Sequence, residues 1–431
     1  MDSSRHDVIV VGSGPAGCAT ALLYAERGLR VALLERRGDP DAYKPVCTHF
    51  IQGVATPILR QLGMLDAMQA AGAVRNDINI WTRYGWIRPG RRADATHHGY
   101  NIRRETFDPI LRHRALDDAR IEFYQGWTVE APLGEDGRVV GVRARNAEQG
   151  RTMRLLAPLS VGADGRPSVI GRAVQTRLSR CDNHRTFFVS YYRDLALATG
   201  RTSQLWFWKR DIAYAFPCDQ GHTLLCIAMH RDDVADVEQD LDRRFHDYFK
   251  QLPDAPAMDA ATRVARVTRG KGMHTIRRHH RSQGVALVGD ALFAIDPYAG
   301  TGIAWGLCSA AWLVEQTAGP IARRESPATI AAAVRRYERL HARRLRVHAW
   351  MISSYSSGRD FRRLLPPERP LFAAAVHCQD VADTLDLFLN RVIGLRQLLA
   401  PRMVAAIVGH LLHRHLSGRH REVRRMGTPH D

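Results

Sequence analysis

A run of glycines closing an apolar segment, Val11-Gly12-Ser13-Gly14-Pro15-Ala16-Gly17, has the residue types and spacing to bind a pyrophosphate. Gly12 permits a tight turn, Gly14 lets the backbone approach phosphate oxygens, and Gly17 lets a helix pack closely on a strand. A helix starting at Pro15-Ala16 would offer unpaired N–H groups and the positive end of its dipole to the phosphates. Eighteen residues beyond Gly17 stands Glu35, with Arg36 beside it. At that distance a carboxylate can accept from a ribose 2′-hydroxyl.

These residues need a strand–helix–strand unit to hold them. Val8 to Val11 reads as a buried strand, Gly28 ends the helix, and Leu29 to Leu34 forms the second strand, with Glu35 at its tip. Further on, the pattern predicts helices over 55–71 and 106–119, an alternating strand over 77–88, three short strands over 121–144, and a buried strand over 155–162. Residues 187–229 are strand-rich and aromatic, 233–252 helical, and 285–288 a buried strand before a glycine-rich turn and a helix from Ala304. From Ser326 the pattern is helical, broken at 365–370 and at Pro401. The expected fold is α/β. A Rossmann-like nucleotide domain is assembled from 1–75, 100–180 and 275–325. An antiparallel β-rich domain (76–99 and 181–274) is inserted, and a helical region (326–431) follows.

Composition narrows the function classes. Of the 62 basic residues only four are lysine (Lys44, Lys209, Lys250, Lys271), so the formal charge of +18 rests on arginine. Codon composition of the source genome is the favoured explanation of such a bias, and a nucleic-acid surface the alternative. No nucleic-acid module accompanies it, so no nucleic-acid partner is expected. The last third carries 20 of the 58 arginines, which directs attention to an acidic partner or membrane surface there. Seven widely spaced cysteines, with no C-x-x-C pair, argue against a disulfide framework or a zinc site. No metal is expected. With no signal-peptide pattern before Val8, the expected location is cytoplasmic. The late apolar run 398–412 is interrupted by Arg402 and is too short to span a bilayer.

Two more motifs and a helix start complete the picture: Gly162-Ala-Asp164-Gly165, Gly289-Asp290 followed by Pro297, Gly300-Thr301-Gly302-Ile303, and Arg104-Glu-Thr-Phe107-Asp108. With the first fingerprint they resemble, in order and spacing, the signatures of flavoprotein monooxygenases of the p-hydroxybenzoate hydroxylase-like fold. Geranylgeranyl reductases and flavin-dependent halogenases share these signatures. The resemblance covers about residues 5–320. It implies FAD as cofactor, with Arg104, Asp164 and Asp290 at its site. Asp290, following a buried strand, can accept from a ribityl hydroxyl. Pro297, Gly300 and Gly302 keep side chains away from a flat ring, and N–H groups near Thr301 and Ile303 can face its pyrimidine edge.

The branch within this superfamily rests on the substrate region. Halogenases carry W-x-W-x-I-P and an essential lysine. Here Trp206-Phe-Trp208 is followed by Lys209-Arg210, and no lysine lies between Gly72 and Gly99. Ile212-Ala-Tyr214-Ala-Phe216-Pro217 resembles the reductases' Y-x-W-x-F-P with its first two aromatics changed. Lys44-Pro-Val-Cys47-Thr-His49 resembles their cysteine loop without its glycines. These departures favour oxygen chemistry. NADPH or NADH, or a partner reductase, reduces FAD; O2 adds at the flavin C4a, and an oxygen atom passes to an apolar or aromatic substrate. Alkene reduction is the alternative. His49 and Cys47 are the catalytic candidates, His49 as a proton relay near neutral pH. Trp206, Trp208, Tyr214 and Phe216 are the candidate substrate walls.

Overall fold

Four consecutive apolar residues, Val8–Val11 (β1), are buried throughout, as a strand covered on both faces of a parallel sheet must be. The computed structural model describes residues 3–412 except 46, 91–96, 236–239 and 271–272. From β1 the chain enters α1 (Pro15–Glu26). Gly28, at φ +81°, then returns it to β2 (Val31–Glu35). A hairpin follows, β3 (Ile78–Thr82) and β4 (Gly85–Ile87). Next come α2 (Arg104–Leu116), β5 (Ile121–Gln125) and β6 (Leu159–Gly162). Four long strands come after: β7 (Arg185–Arg193), β8 (Ser203–Trp208), β9 (Asp211–Pro217) and β10 (His222–His230). The rest is α3 (Leu241–Lys250), β11 (Val285–Leu287), α4 (Gly302–Ala322), α5 (Pro327–Ser356), α6 (Gln379–Leu389) and α7 (residues 401–412).

Two sheets carry the architecture. The first is parallel, in the order β11-β6-β1-β2-β5. It gathers strands from three separated stretches of chain and puts the glycine turn after β1 at its carboxyl edge, where ligands of open α/β sheets bind. The second is large and mostly antiparallel, with β7, β10, β9, β8, β3 and β4 in sequence; only β8 and β3 run parallel. The alternation of β9 decides its faces. Ile212, Tyr214 and Phe216 join the core shared with the nucleotide domain, and Ala213 and Ala215 face a second core under α3.

Several expected elements differ in detail for local reasons. The helix expected over 55–71 is two, Thr56–Gln61 and Leu65–Ala70, parted by Gly63 at φ +67°. The strand expected over 77–88 folds back as β3 and β4, with Gly85 at φ +115°. The strand expected over 155–162 splits at Pro158, which has no N–H to donate, into Arg151–Leu156 and β6. The break expected at Pro401 falls at residues 399–400, after the short helix Leu395–Leu398, and Pro401 begins α7, since the first turn has no use for its missing N–H. The expected helix over 233–252 is α3, with 236–239 outside the described residues.

Candidate functional site

The glycine turn is fixed by contact. Gly12 sits at φ +101°, and a Cβ there would stand 2.8 Å from the Ala163 oxygen. A Cβ on Gly17 would stand 1.8 Å from the Gly12 oxygen, so α1 can reach the turn only with glycine there. Gly14 differs: a Cβ would meet nothing within 4 Å, because Gly14 opens onto a cavity. That cavity, about 690 Å³, is lined by Gly12, Gly14, Pro15 and Ala16 together with Pro297, Gly300, Gly302 and Ile303. Its volume is that of a cofactor-sized site. Two helix starts, of α1 and of α4, thus open onto one space with their dipoles' positive ends.

Glu35, Arg36, Arg104, Asp164 and Asp290 also line this cavity. The Glu35 carboxylate accepts from Ser13 N and Oγ at 3.1 and 2.9 Å, and from Arg37 N and Nε at 3.0 and 3.1 Å. Burial alone would raise its pKa, but these donors outweigh burial and hold it below the ordinary value. Sequence reasoning missed the residue behind this network. Arg112 is fully buried and donates from Nε to Ser13 Oγ at 2.9 Å, from Nη2 to Ala42 O at 2.8 Å, and from Nη1 to Pro40 O. Its signal was the spacing Arg104, Asp108, Arg112, which puts three charged residues on one face of α2.

Arg104 is held bidentately by Asp108, at 2.5 and 2.6 Å, and lies against the Cys47 thiol. Asp164 accepts from Val169 N at 2.6 Å and from Ser168 Oγ; burial raises its pKa. Gly289, at φ +54°, packs against Ala16, so that a Cβ would stand 2.9 Å away. The Asp290 motif and α1 are therefore locked together. Asp296 Oδ1 accepts Tyr298 N at 3.0 Å. Burial pushes Asp296 up to about 6. Gly300, at φ +60°, turns so closely past Phe50 that a Cβ would stand 2.8 Å from that ring. Gly302 has nothing within 4 Å of a Cβ position. Thr301 does not line the cavity. It is fully buried at the start of α4, and its hydroxyl has no protein partner.

These features fit a flavin dinucleotide. Gly14 and Gly302 leave openings that a side chain would fill, and the cavity is lined by carboxylates, Glu35 and Asp290, of the chemistry that accepts from sugar hydroxyls. Asp290→Ala should weaken FAD binding roughly ten- to a hundredfold, since a hydrogen bond to a charged group is worth about 1.5–3 kcal/mol. Fluorescence titration of the apoprotein checks this; unchanged affinity would make Asp290 a structural residue.

The expectation that His49 relays a proton near neutral pH is corrected. His49 is 2% exposed, with φ +56°, and does not line the cavity. Its Nδ1 accepts the Arg104 backbone N–H at 2.9 Å, which fixes the start of α2. The proton therefore sits on Nε2, facing the Tyr191 hydroxyl. Burial, with the charges of Arg104 and Arg103, pushes its pKa down to about 3. It stays neutral throughout the physiological range. Between its unfolded value near 6.5 and about 3, the unfolded chain binds a proton that the folded chain refuses. Stability is complete above pH 6.5 and falls as pH drops through that window, by up to about 1.4 kcal/mol per unit. His341 and His348 are pushed down to about 3 in the same way. Unfolding midpoints measured from pH 7 to 4 should fall steeply, and His49→Gln should make the fall shallower by one proton. An unchanged slope would contradict a buried neutral His49. Cys47, half-buried, does line the cavity.

The expected substrate walls divide. Trp206 is fully buried on the far face of the sheet, donating Nε1–H to Pro253 O at 2.8 Å and packing edge-on to Phe249 of α3. Trp208 pairs with Trp81 on that same face. Alternation along β8 turns Leu205 and Phe207 inward instead. Tyr214 and Phe216 do face the nucleotide domain, but they brace the segment from Pro297 to Gly302. The Tyr214 hydroxyl donates to Tyr298 O, and Phe216 packs on Phe50 at 5.9 Å. The sheet's contribution to the cavity comes from neighbouring strands, through Phe187, Val189 and Cys226.

The model of the FAD binding domain family matches residues 5–343. Violacein synthase of Chromobacterium violaceum is 26% identical over 340 residues, covering 71% of this chain and 76% of that protein. Digeranylgeranylglycerophospholipid reductase 2 of Methanopyrus kandleri is 25% identical over 313 residues, covering 69% and 73%. The flavin-dependent brominase Bmp2 superposes with a TM-score of 0.73 over 95% of this chain and 100% of that one, at 16% identity; that likeness is one of fold.

Proposed function

The chain belongs to the FAD binding domain family, and on that premise we propose that it is an NAD(P)H-driven monooxygenase. It would place one oxygen atom of O2 in an apolar or aromatic small molecule. The observation that carries this reading is a group of apolar side chains in the cavity's lining. Phe187, Val189 and Cys226 stand there with Phe50 and Ile295, and burial pushes the Cys226 thiol well up. These five side chains carry no charge, while Cys47, Thr48, Arg104 and Arg166 line the same cavity. Such a surface excludes water, which protects a reactive oxygen species, and electrophilic oxygen transfer to an electron-rich ring asks for no acid there.

FAD supplies the redox chemistry when reduced by NADPH or NADH. The chain's own residues bind and orient it. The Gly12–Gly17 turn and α1 receive the pyrophosphate, Glu35 the ribose, and Asp290 the ribityl chain. Gly300 and Gly302 leave the ring face clear, and the start of α4 stabilises negative charge at its edge. His49 positions α2 and moves no proton. Halogenation is the less favoured alternative. Lys209 lies over Trp208 on the far face, and among the described residues the one lysine lining the cavity is Lys44, exposed to solvent.

Cys47 favours a second reading. Its thiol lines the cavity beside Arg104, where it would serve a reduction that needs a proton donor, as in an FAD-dependent alkene reductase. Turnover with NADPH under 18O2 and under strict anaerobiosis separates the two. The monooxygenase consumes O2 and yields a product heavier by one labelled oxygen. An anaerobic product heavier by two hydrogens would overturn the proposal in favour of the reductase.

A further inference from the structure

The end of the described chain presents an apolar face that none of its described residues covers. Residues 401–412 (α7) bury one side, with Met403 at 2% exposure and His410 stacked on His377 at 5.1 Å. The other side carries Val404, Val408, Leu411 and Leu412, each between 42% and 59% exposed. Their spacing puts them on one helical face. Leu395 and Leu399, 41% and 56% exposed, extend the patch. A surface helix of a water-facing protein shows the reverse pattern, polar outward. Between 395 and 412 the charged residues are Arg396 and Arg402 alone, both exposed. The next residues in sequence, 413–431, contain five arginines against two acids.

We propose that this face seats on an anionic phospholipid surface. An outward apolar stripe edged only by arginine is what a helix needs to lie in the interfacial plane, with side chains in the acyl boundary and guanidinium groups among lipid phosphates. Among the described residues no helix is long and apolar enough to cross a membrane, so the contact is peripheral. A second copy of the chain is a poorer occupant. It would bring the same arginine rim against this one, on a molecule of formal charge +18. The inference is independent of which reaction the flavin site performs.

Flotation of the full-length holoprotein with vesicles tests it. Vesicles of phosphatidylcholine with roughly 30 mol % phosphatidylglycerol should carry the protein upward, and phosphatidylcholine alone about tenfold less. High salt should release part of it. The double variant Val408→Glu, Leu412→Glu should reduce partition to anionic vesicles at least about tenfold, with FAD content and thermal midpoint unchanged because both side chains are exposed. No flotation of the wild type, or equal flotation of the double variant, would overturn the proposal. So would a wild-type dimer in light scattering that the double variant converts to monomer, since that result assigns the face to a second copy.

Discussion

Gly14→Val should yield a folded protein that no longer binds FAD. A Cβ at Gly14 would meet no protein atom within 4 Å, so the turn can accommodate a side chain; it would project instead into the cavity where a pyrophosphate must approach the backbone. The loss should be on the order of a thousandfold or more in affinity, about 4 kcal/mol. The unfolding midpoint of the apoprotein should be unchanged. Gly17→Val makes the contrast. Its Cβ would overlap the Gly12 oxygen, so that variant should fail to fold. Fluorescence titration with FAD, together with circular dichroism, reads both. A Gly14→Val protein that purifies yellow and fully loaded would remove the pyrophosphate from this turn.

Arg112→Met should cost nearly as much by another route. The fully buried guanidinium joins the phosphate turn, through Ser13, to the carbonyls of Pro40 and Ala42. Methionine replaces the volume of the stem but leaves the buried Ser13 hydroxyl and the partly buried carbonyls of Pro40 and Ala42 without donors, at up to about 1–3 kcal/mol each. A loss of about 3–5 kcal/mol in stability is expected, with weaker FAD binding because Ser13 also holds Glu35. Arg112→Lys should rescue little, since an ammonium cannot reach acceptors on three sides as the planar fork does. Thermal unfolding and FAD titration measure the two effects. A variant as stable as the wild type would show that the network contributes no net stability.

What could be read in the sequence was what neighbours in the chain determine. The glycines at 12, 14 and 17 announce their turn because turn, helix and strand lie within thirty residues, and the parallel sheet follows from that unit. The misreadings have a common cause in contacts distant along the chain. Which face of β8 looks inward depends on where α3 packs, so Trp206 and Trp208, conspicuous as a pair, belong to a core with Phe245 and Phe249. Nothing near His49 in sequence shows that its ring will accept the amide of Arg104 and lose its basicity. Arg112 was visible only as a spacing along α2, and its acceptors come from two loops far upstream.

The most direct test of the account is the identity of the molecule in the cavity between Gly12 and Gly302. Protein purified without added cofactor, or reconstituted from the apoprotein, should on denaturation release FAD, one molecule per chain, identified by chromatography and mass. FMN, a nicotinamide dinucleotide in its place, or an apoprotein that binds no FAD in titration, would contradict the account.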